Sequence, residues 1–291
     1  MDLLPYPLRA LLELLRPRAV ISRNAVGKGD WSVRYEAEEP PSFCIVLAGR
    51  CWIEMRSSLP ELLHPGDVLL RARAPAITIS GQGDFAMLGG TLEIQRASAA
   101  LLMNLLPERM CWSTTDMGTA RLERIMDLIV DQCARGSPKD ALGLPRLIDL
   151  LLLEALRTRI GWGSVTTGLL AGLRDPTIAQ ALKTMHSDVG HAWVMEDLGT
   201  LAGLSRAGFV RRFTRVVGIP PMDYLARWRM SVAVDSLLNR DFSLKSIART
   251  AGYDSASAFS TAFRARVGCA PGTFARGRTD DQRRTAGPRR H

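Results

Sequence analysis

The side chains best suited to chemistry in this sequence are clustered arginines. Residues 203–218, "GLSRAGFVRRFTRVVG", carry four of them: Arg206, Arg211, Arg212 and Arg215. A guanidinium group donates hydrogen bonds in a planar fork that matches phosphates and the edge of guanine. The stretch is therefore either an ordinary basic surface helix or a helix that lies against an anionic partner, and the rest of the chain has to decide between them.

The arginine-rich stretch belongs to a duplicated unit. Phe209, Phe213, Gly218 and Pro221 recur 50 residues later as Phe259, Phe263, Gly268 and Pro271. Upstream, Leu198, Ala202 and Gly203 recur 49 residues later as Ile247, Ala251 and Gly252. The one-residue difference falls in the turn, "GLS" against "GYDS", as expected for a repeated structural unit that varies in a loop.

Each copy predicts a helix-turn-helix. A short helix ends at Ala-Gly, where glycine permits the left-handed backbone that stops it. A capping residue follows, Ser205 in the first copy and Asp254 or Ser255 in the second. The next helix turns two phenylalanines four residues apart to one face. Between the copies, residues 221–238 predict a single stiff helix with Leu225, Trp228 and Val232 facing inward.

Residues 176–276 resemble the DNA-binding domain of the AraC/XylS family of transcription regulators, on the two helix-turn-helix motifs "MEDLGTLAGLSRAGFVRRF" and "SLKSIARTAGYDSASAFSTAF". The resemblance implies that the two recognition helices enter successive major-groove segments of double-stranded promoter or operator DNA. The first helix should supply most direct readout, since the second carries small uncharged residues, and Arg266 should assist in phosphate contact. The residues predicted to contact DNA are Ser205, Arg206, Ala207, Val210, Arg211, Arg215, Ser255, Ala256, Ser257, Ser260, Thr261 and Arg264.

The distribution of charge also favours a polyanionic partner. The net charge is +9, and residues 186–291 hold +8 of it. The five cysteines form no CxxC pair, which argues against a disulfide framework and a zinc site. We expect small buried thiols, with a redox-sensing role for Cys44 or Cys51 as the alternative.

Residues 31–94 predict short strands separated by Gly, Pro and Ser, with "HPGD" (64–67) as a turn. With its motifs "FCIVLAGRCWIEM" and "PGDVLL", and "GTLEI" leading to "LLMNLLPE", this region resembles the cupin-type sensor domain of a subset of the same family. Metal-binding cupins need His and Glu ligands, whereas Cys44 stands where a first His is expected and His64 should face solvent. We therefore expect no metal, no cofactor and no catalysis, and a barrel that binds a small-molecule effector of unknown identity or supports dimerisation. Aromatic residues that could fill the core or line a pocket are Trp31, Phe43, Trp52 and Phe85.

The predicted fold is α+β: a cupin-like barrel with dimerisation helices, followed by an all-α double helix-turn-helix. The predicted segments are a sensor domain (1–110), a helical dimerisation segment (111–165), a linker (166–175), the DNA-binding domain (176–276) and a disordered basic tail (277–291). The N-terminus predicts a short amphipathic helix rather than a signal peptide. No stretch approaches the length of a membrane span, so we expect a cytoplasmic protein.

These features predict an effector-responsive, sequence-specific transcription regulator that forms a homodimer. The family resemblance implies that it activates transcription by contacting RNA polymerase, with repression as the alternative. Two alternatives stay open. One is a cupin-type enzyme whose C-terminal domain localises it on DNA. The other is a non-specific architectural DNA-binding protein.

Overall fold

The structure is a computed structural model that describes residues 6–36, 41–55, 58–72, 76–94, 105–107, 109–113, 120–135, 143–162, 166–239 and 243–276. The chain divides into two compact units. The first holds the strands and the helices up to Arg174, and the second holds residues from Asp175 onward together with the N-terminal helix. The predicted α+β class is confirmed. The predicted tail, 277–291, lies outside the described residues.

The first unit is built on two antiparallel sheets. Their strands are β1 (Arg18–Gly27), β2 (Trp31–Tyr35), β3 (Ser42–Ala48), β4 (Cys51–Met55), β5 (Ser58–Leu63), β6 (Val68–Arg71), β7 (Ile77–Gly81), β8 (Phe85–Glu93) and β9 (Arg109–Trp112). One sheet has the order β1-β8-β3-β6-β9 and the other β2-β7-β4-β5. Apolar side chains of both sheets form one core, because alternate residues of each strand point to the same face. Its members include Cys44, Val46, Cys51, Ile53, Leu69, Ile79 and Met87.

Local turn chemistry is as the sequence predicts. Gly66 adopts a φ of 91°, the left-handed region that glycine tolerates. The carboxylate of Asp67 accepts a hydrogen bond of 2.8 Å from the amide of His64, which closes the turn between β5 and β6. The imidazole of His64 is exposed, as expected.

The strand boundaries differ from the prediction at both ends of the barrel. β1 precedes the predicted strand region, and β9 lies where helix was predicted from residue 97 onward. β9 is a strand because its four residues pair in register with β6, from Val68–Trp112 to Arg71–Arg109. Of the four aromatic residues, Phe43 is buried and Trp31 stacks on Phe85 with ring centroids 3.9 Å apart. Trp52 does not fill the core, because 45% of it is exposed.

Two helices pack beside the barrel: α2 (Ala120–Arg135) and α3 (Leu144–Trp162). α2 buries Leu122, Ile125, Met126 and Ile129, which a helical period predicts on one face. Cys133, predicted on the same face, is only half-buried. The Arg121 guanidinium lies 3.4 Å from the Glu154 carboxylate and joins α2 to α3. The Asp149 carboxylate accepts a 2.7 Å hydrogen bond from the Ala19 amide and joins α3 to β1.

The predicted linker, 166–175, contains a helix instead of an extended connection. α4 (Leu169–Arg174) buries its apolar residues from Leu169 to Leu173 in the first unit. The Gly, Ser and Thr residues before it predict a loop, but an apolar run of five residues is more stable when it is covered.

The second unit is helical. It contains α1 (Tyr6–Leu15), α5 (Pro176–Ser187), α6 (Met195–Leu201), α7 (Arg206–Val217), α8 (Pro221–Asn239), α9 (Leu244–Thr250) and α10 (Ala256–Val267). α1 is the amphipathic helix that the sequence predicts. It packs on α5 and α8, although the predicted sensor domain of 1–110 includes it. The burial of its inner leucines stabilises this packing; they are Leu8, Leu11, Leu14 and Leu15. In the described part of the chain, no helix is long and apolar enough to cross a bilayer.

Candidate nucleic-acid interface

The first helix-turn-helix consists of α6, a tight turn and α7. Gly203 adopts a φ of 65° in the turn, which ends α6. The Ser205 hydroxyl accepts a 3.2 Å hydrogen bond from the Gly208 amide and caps the start of α7. At the other end, Gly218 is left-handed, with its amide bonded to the carbonyl of Thr214. Both ends of this helix are therefore fixed by the residues that the sequence singles out.

The second helix-turn-helix, α9 and α10, repeats this arrangement. Gly252 adopts a φ of 75° in the turn. Of the two capping candidates, Ser255 is the cap: its hydroxyl accepts a 3.1 Å hydrogen bond from the Ala258 amide. Gly268 closes the helix as Gly218 closes α7. The match in caps, turns and helix lengths confirms the duplicated unit.

Both recognition helices are held from behind by their phenylalanines. All four rings are fully buried. The Phe209 and Phe213 centroids are 5.6 Å apart, and those of Phe259 and Phe263 are 5.5 Å apart. Since Phe residues four apart occupy one face, the opposite face of each helix is left for a partner.

The opposite face of α7 carries the predicted DNA contacts. Arg206, Ala207, Arg211 and Arg215 are exposed, and Val210 is half-buried. The Arg206 guanidinium lies 3.3 Å from the Glu196 carboxylate of α6, and both side chains are more than half exposed. Within the described residues, Arg211 and Arg215 form no ion pair. Their charges are thus available to an anionic partner.

The outer face of α10 is small and mostly uncharged. Ser257, Thr261 and Arg264 are exposed, while Ala256 and Ser260 are half-buried. The Ser260 and Thr261 hydroxyls donate to the carbonyls of Ala256 and Ser257, at 2.7 and 3.2 Å. The Arg266 guanidinium, predicted to help bind phosphate, instead donates a 2.9 Å hydrogen bond to the Asp223 carboxylate of α8.

The α8 connector and two ion-pair clusters join these helices into one unit. Tyr224, Leu225 and Trp228 of α8 are buried, and Val232 is half-buried rather than fully inside. At 19 residues α8 is about 28 Å long. The Asp223 carboxylate accepts hydrogen bonds from both Arg227 and Arg266. Partial burial alone would raise the pKa of Asp223, but the two arginines outweigh it and lower that pKa.

A second cluster fixes α7 to α5. The Arg212 guanidinium donates two hydrogen bonds, of 2.9 and 3.1 Å, to the Asp175 carboxylate. That carboxylate also caps α5 by accepting from the amides of Thr177 and Ile178. Burial would raise the pKa of Asp175, but these hydrogen bonds and the arginine charge lower it. Of the four arginines in the opening stretch, Arg212 therefore has a structural role. Its sequence position alone did not distinguish it from the other three.

The barrel of the first unit contains a cavity of about 50 Å³ between strands of its two sheets. Ser42, Phe43 and Cys44 of β3 line it, together with Tyr35 and Arg71. Arg71 is only 4% exposed, and its guanidinium lies 3.5 Å from the Ser42 hydroxyl and 5.5 Å from the Tyr35 ring centroid. One water molecule needs roughly 10–15 Å³ of cavity volume, so this cavity can hold a small polar group.

Two cysteines of the barrel, Cys44 and Cys51, lie in surroundings that disfavour the thiolate. Burial raises the pKa of Cys44 well above its usual value, and burial together with the charge of Asp67 raises the pKa of Cys51 to about 11. Thiolate is the reactive form of cysteine, and both shifts disfavour that form at neutral pH. Among the described residues, no group of three or more His, Cys, Asp or Glu side chains could hold a metal ion.

The architecture defines a class: a cupin-type barrel joined to a double helix-turn-helix DNA-binding unit. Comparison with known proteins agrees. A family model described as a helix-turn-helix domain matches residues 198–277, and one described as a cupin matches residues 7–161. An AraC-like transcription regulator of Streptomyces lividans is 30% identical over 92% of this chain and 97% of its own length. The chain belongs to the AraC family of transcription regulators.

One further relative and one solved structure complete the comparison. The RCS-specific transcriptional activator RclR of Escherichia coli is 27% identical over 92% of this chain and 96% of its own length. Among solved structures, the fatty-acid-bound ToxT of Vibrio cholerae aligns over 89% of this chain and 95% of its own. That alignment has 14% sequence identity and a TM-score of 0.38.

Proposed function

We propose that this transcription regulator reads its DNA site with both recognition helices, and that α7 supplies most of the base-specific contacts. The observation that supports this most directly is the repeated, serine-capped helix whose outer face is exposed. B-DNA's major groove admits one such helix, and residues near its N-terminus meet base edges. One continuous helix, α8, joins the two helix-turn-helix units, which we call the first reader (α6 and α7) and the second reader (α9 and α10).

Each exposed side chain is assigned a role by its place on the helix. Arg206, Ala207, Val210 and Arg211 face base edges, and Arg206 exchanges its partner Glu196 for DNA. Ser205 and Ser255 cap the helices at the groove and lie beside the DNA backbone. The second helix contributes fit and phosphate contact through its own outer residues: Ala256, Ser257, Ser260, Thr261 and Arg264.

Substitution of Arg211 and of Arg215 in parallel tests the proposed base readout. Arg211→Ala should cost about 1–3 kcal/mol at one base position and relax specificity there. Arg215→Ala removes the same charge one turn later on the same helix. It should weaken binding to all sequences alike and reduce the slope of log affinity against log salt by about 1. Binding measured on a panel of single-base variants of the site, at several salt concentrations, separates the two effects.

The same measurement decides between the proposed reader and the architectural alternative. If wild-type affinity barely changes when the site sequence is scrambled, the chain is a non-specific DNA-binding protein. If Arg211→Ala lowers affinity equally at every base position, Arg211 is a phosphate contact and our assignment of it is wrong.

We further propose that the barrel cavity holds a small effector with an acidic or hydrogen-bond-accepting group against Arg71. A buried guanidinium binds carboxylate and phosphate oxygens well, and Tyr35 and Ser42 add polar contacts. Ligands that raise the thermal midpoint of the full chain should lose that effect in Arg71→Leu, since binding only to the folded state stabilises it. A ligand whose shift persists in Arg71→Leu binds elsewhere. We assign no catalytic residue, and stoichiometric metal in the purified chain would favour the enzymatic alternative.

The protein acts, in this proposal, as a cytoplasmic homodimer that activates transcription by contacting RNA polymerase. Dimerisation through α2 and α3 is supported by the apolar residues that they expose: Leu128, Val130 and Leu150. Transcription from a bound promoter with purified RNA polymerase tests activation. Reduced transcript on addition of the protein would make it a repressor.

A further inference from the structure

Arg229 lies on α8 between the two helix-turn-helix units, and its guanidinium binds the loop that leads into the first unit. Nε donates a 3.0 Å hydrogen bond to the carbonyl of Val189, and Nη2 donates a 2.6 Å hydrogen bond to the carbonyl of His191. These carbonyls belong to the α5–α6 loop, residues 188–194, which leads directly into α6. A planar guanidinium can serve both carbonyls at once because its donors point in fixed directions.

The α5–α6 loop has internal hydrogen bonds of its own, so hydrogen bonds from Arg229 to its carbonyls also restrain α6. The indole of Trp193 donates a 2.9 Å hydrogen bond to the carbonyl of Asp188. The amide of Trp193 donates to the carbonyl of His191 at 2.8 Å, and the two rings lie with centroids 4.1 Å apart. Arg229 therefore fixes the entry to the first reader.

The turn of the second helix-turn-helix approaches the same guanidinium. A Cβ atom added to Gly252 would lie 2.6 Å from Nη2 of Arg229 and 2.9 Å from the carbonyl oxygen of Gly190. A Cβ added to Gly190 would in turn lie 3.2 Å from the carbonyl oxygen of Thr250, at the end of α9. Five residues thus form what we name the Arg229 junction: Val189, Gly190, His191, Arg229 and Gly252.

A phosphate contact is the other role for an arginine in a DNA-binding unit, and the geometry disfavours it here. The side chain is half-buried. Burial lowers the pKa of Arg229, with the neighbouring Tyr253 opposing that shift. Two of its nitrogens already donate to backbone carbonyls. Arg211 and Arg215, by contrast, project from α7 without ion pairs among the described residues.

We propose that Arg229 is a positioning residue: it sets the orientation of the two helix-turn-helix units so that both recognition helices engage one duplex simultaneously. This inference rests on the proposed two-reader function. Two linked modules gain affinity because the second binding event becomes intramolecular, and the gain is lost where geometry prevents simultaneous engagement. Loosening the Arg229 junction should therefore weaken binding to a complete site while each reader keeps its own affinity.

The test compares a complete site with its halves. The full chain selects its preferred duplex from random sequence in vitro, and each half of that duplex is then scrambled in turn. Binding is measured for wild type, Arg229→Gln and Arg229→Lys. We expect both variants to lose about 10- to 100-fold in affinity for the complete site and less than about 3-fold for either half. Lysine keeps the charge but lacks the planar fork, so it should not restore binding.

Spacing gives a readout that a purely stabilising role would not change. One base pair inserted between the halves rotates one relative to the other by roughly 35°. Wild type should lose more affinity from this insertion than Arg229→Gln does, because the variant joins its readers less rigidly. Arg249 of α9 touches the junction only through its backbone carbonyl, which accepts a hydrogen bond from the Gly252 amide. Arg249→Gln removes only its exposed guanidinium and should leave the ratio of complete-site to half-site affinity as in wild type.

Several results would overturn the proposal. An unchanged affinity ratio in Arg229→Gln would show that the junction does not position the readers. Full rescue by Arg229→Lys would show that the charge matters and not the fork. Should Arg229→Gln fail to fold, Gly190→Ala tests the same junction against Thr250, and an unchanged ratio there is equally negative. If wild type itself binds a half as tightly as the complete site, the two-reader function fails first.

Discussion

Acid should destabilise the second unit through one buried histidine. His186 of α5 is 4% exposed, its ring stacks on Trp228 with centroids 3.5 Å apart, and its Nε2 lies 2.6 Å from the Tyr224 hydroxyl. Burial lowers the pKa of His186 from 6.5 to about 3. Between these values the unfolded chain binds a proton that the folded chain excludes. The free energy of unfolding is therefore not reduced by this group above pH 6.5, and it falls as the pH drops from 6.5 towards 3.

The magnitude follows from the width of that window. Each pH unit inside it costs about 1.4 kcal/mol, so lowering the pH from 7.5 to 5 should remove about 2 kcal/mol from the free energy of unfolding of this unit. The pKa values of Asp175 and Asp223 are lowered from the ordinary value of 3.8, so these groups also reduce stability in acid. Their effect lies mainly below pH 5.

Hydrogen exchange of α8 peptides in the full chain is the suitable assay, because it reports the unfolding of one unit in a two-unit protein. His186→Phe fills the same stacked position without a titrating group, although it gives up the hydrogen bond to Tyr224. The variant should show little change in α8 opening free energy between pH 7.5 and 5, after correction for intrinsic exchange rates. If it loses the same 2 kcal/mol as wild type, the histidine is not the source and the reasoning is wrong.

Two further predictions concern packing and assembly. Phe213→Ala should destabilise the second unit by about 3–5 kcal/mol, because a fully buried ring is removed; Met222→Ala, at a side chain that is 44% exposed, should change stability by less than about 0.5 kcal/mol in the same denaturant titration. Leu128→Glu places a charge on an α2 residue that is 52% exposed, so it should leave the fold intact and shift sedimentation from dimer towards monomer. A monomeric wild type, or an unaffected dimer in the variant, would remove α2 from the proposed interface.

The sequence was most informative where chemistry is local. The cap Ser205, the left-handed glycines and the paired phenylalanines were all predictable, and Ser255 was one of two candidates for the second cap, because each depends on neighbours within one or two helical turns. The repeat strengthened these predictions, since two copies with the same pattern report the same buried face. The buried face of α2 was predictable for the same reason: a helical period of 3.6 residues is visible in a single stretch of sequence.

The strands at the two ends of the barrel were harder to predict from the sequence. β9 is a strand through its pairing with β6, more than 35 residues earlier, and its four residues carry too short a pattern to indicate that partner. The helix α4 was hidden in the same way, because its apolar run reads as part of a loop until the surface that covers it is known.

Chain composition and local spacing therefore determined the class of fold and the duplicated helix-turn-helix, and they predicted the residues that we propose face the groove. Tertiary structure alone decided which arginines remain available to DNA. Arg212 and Arg266 are held by Asp175 and Asp223, which lie 37 and 43 residues away along the chain. It also decided that α1 packs with the DNA-binding helices and that Arg229 joins two backbone segments. Such contacts depend on where distant segments meet in space, and local periodicity in the sequence does not indicate which segments meet.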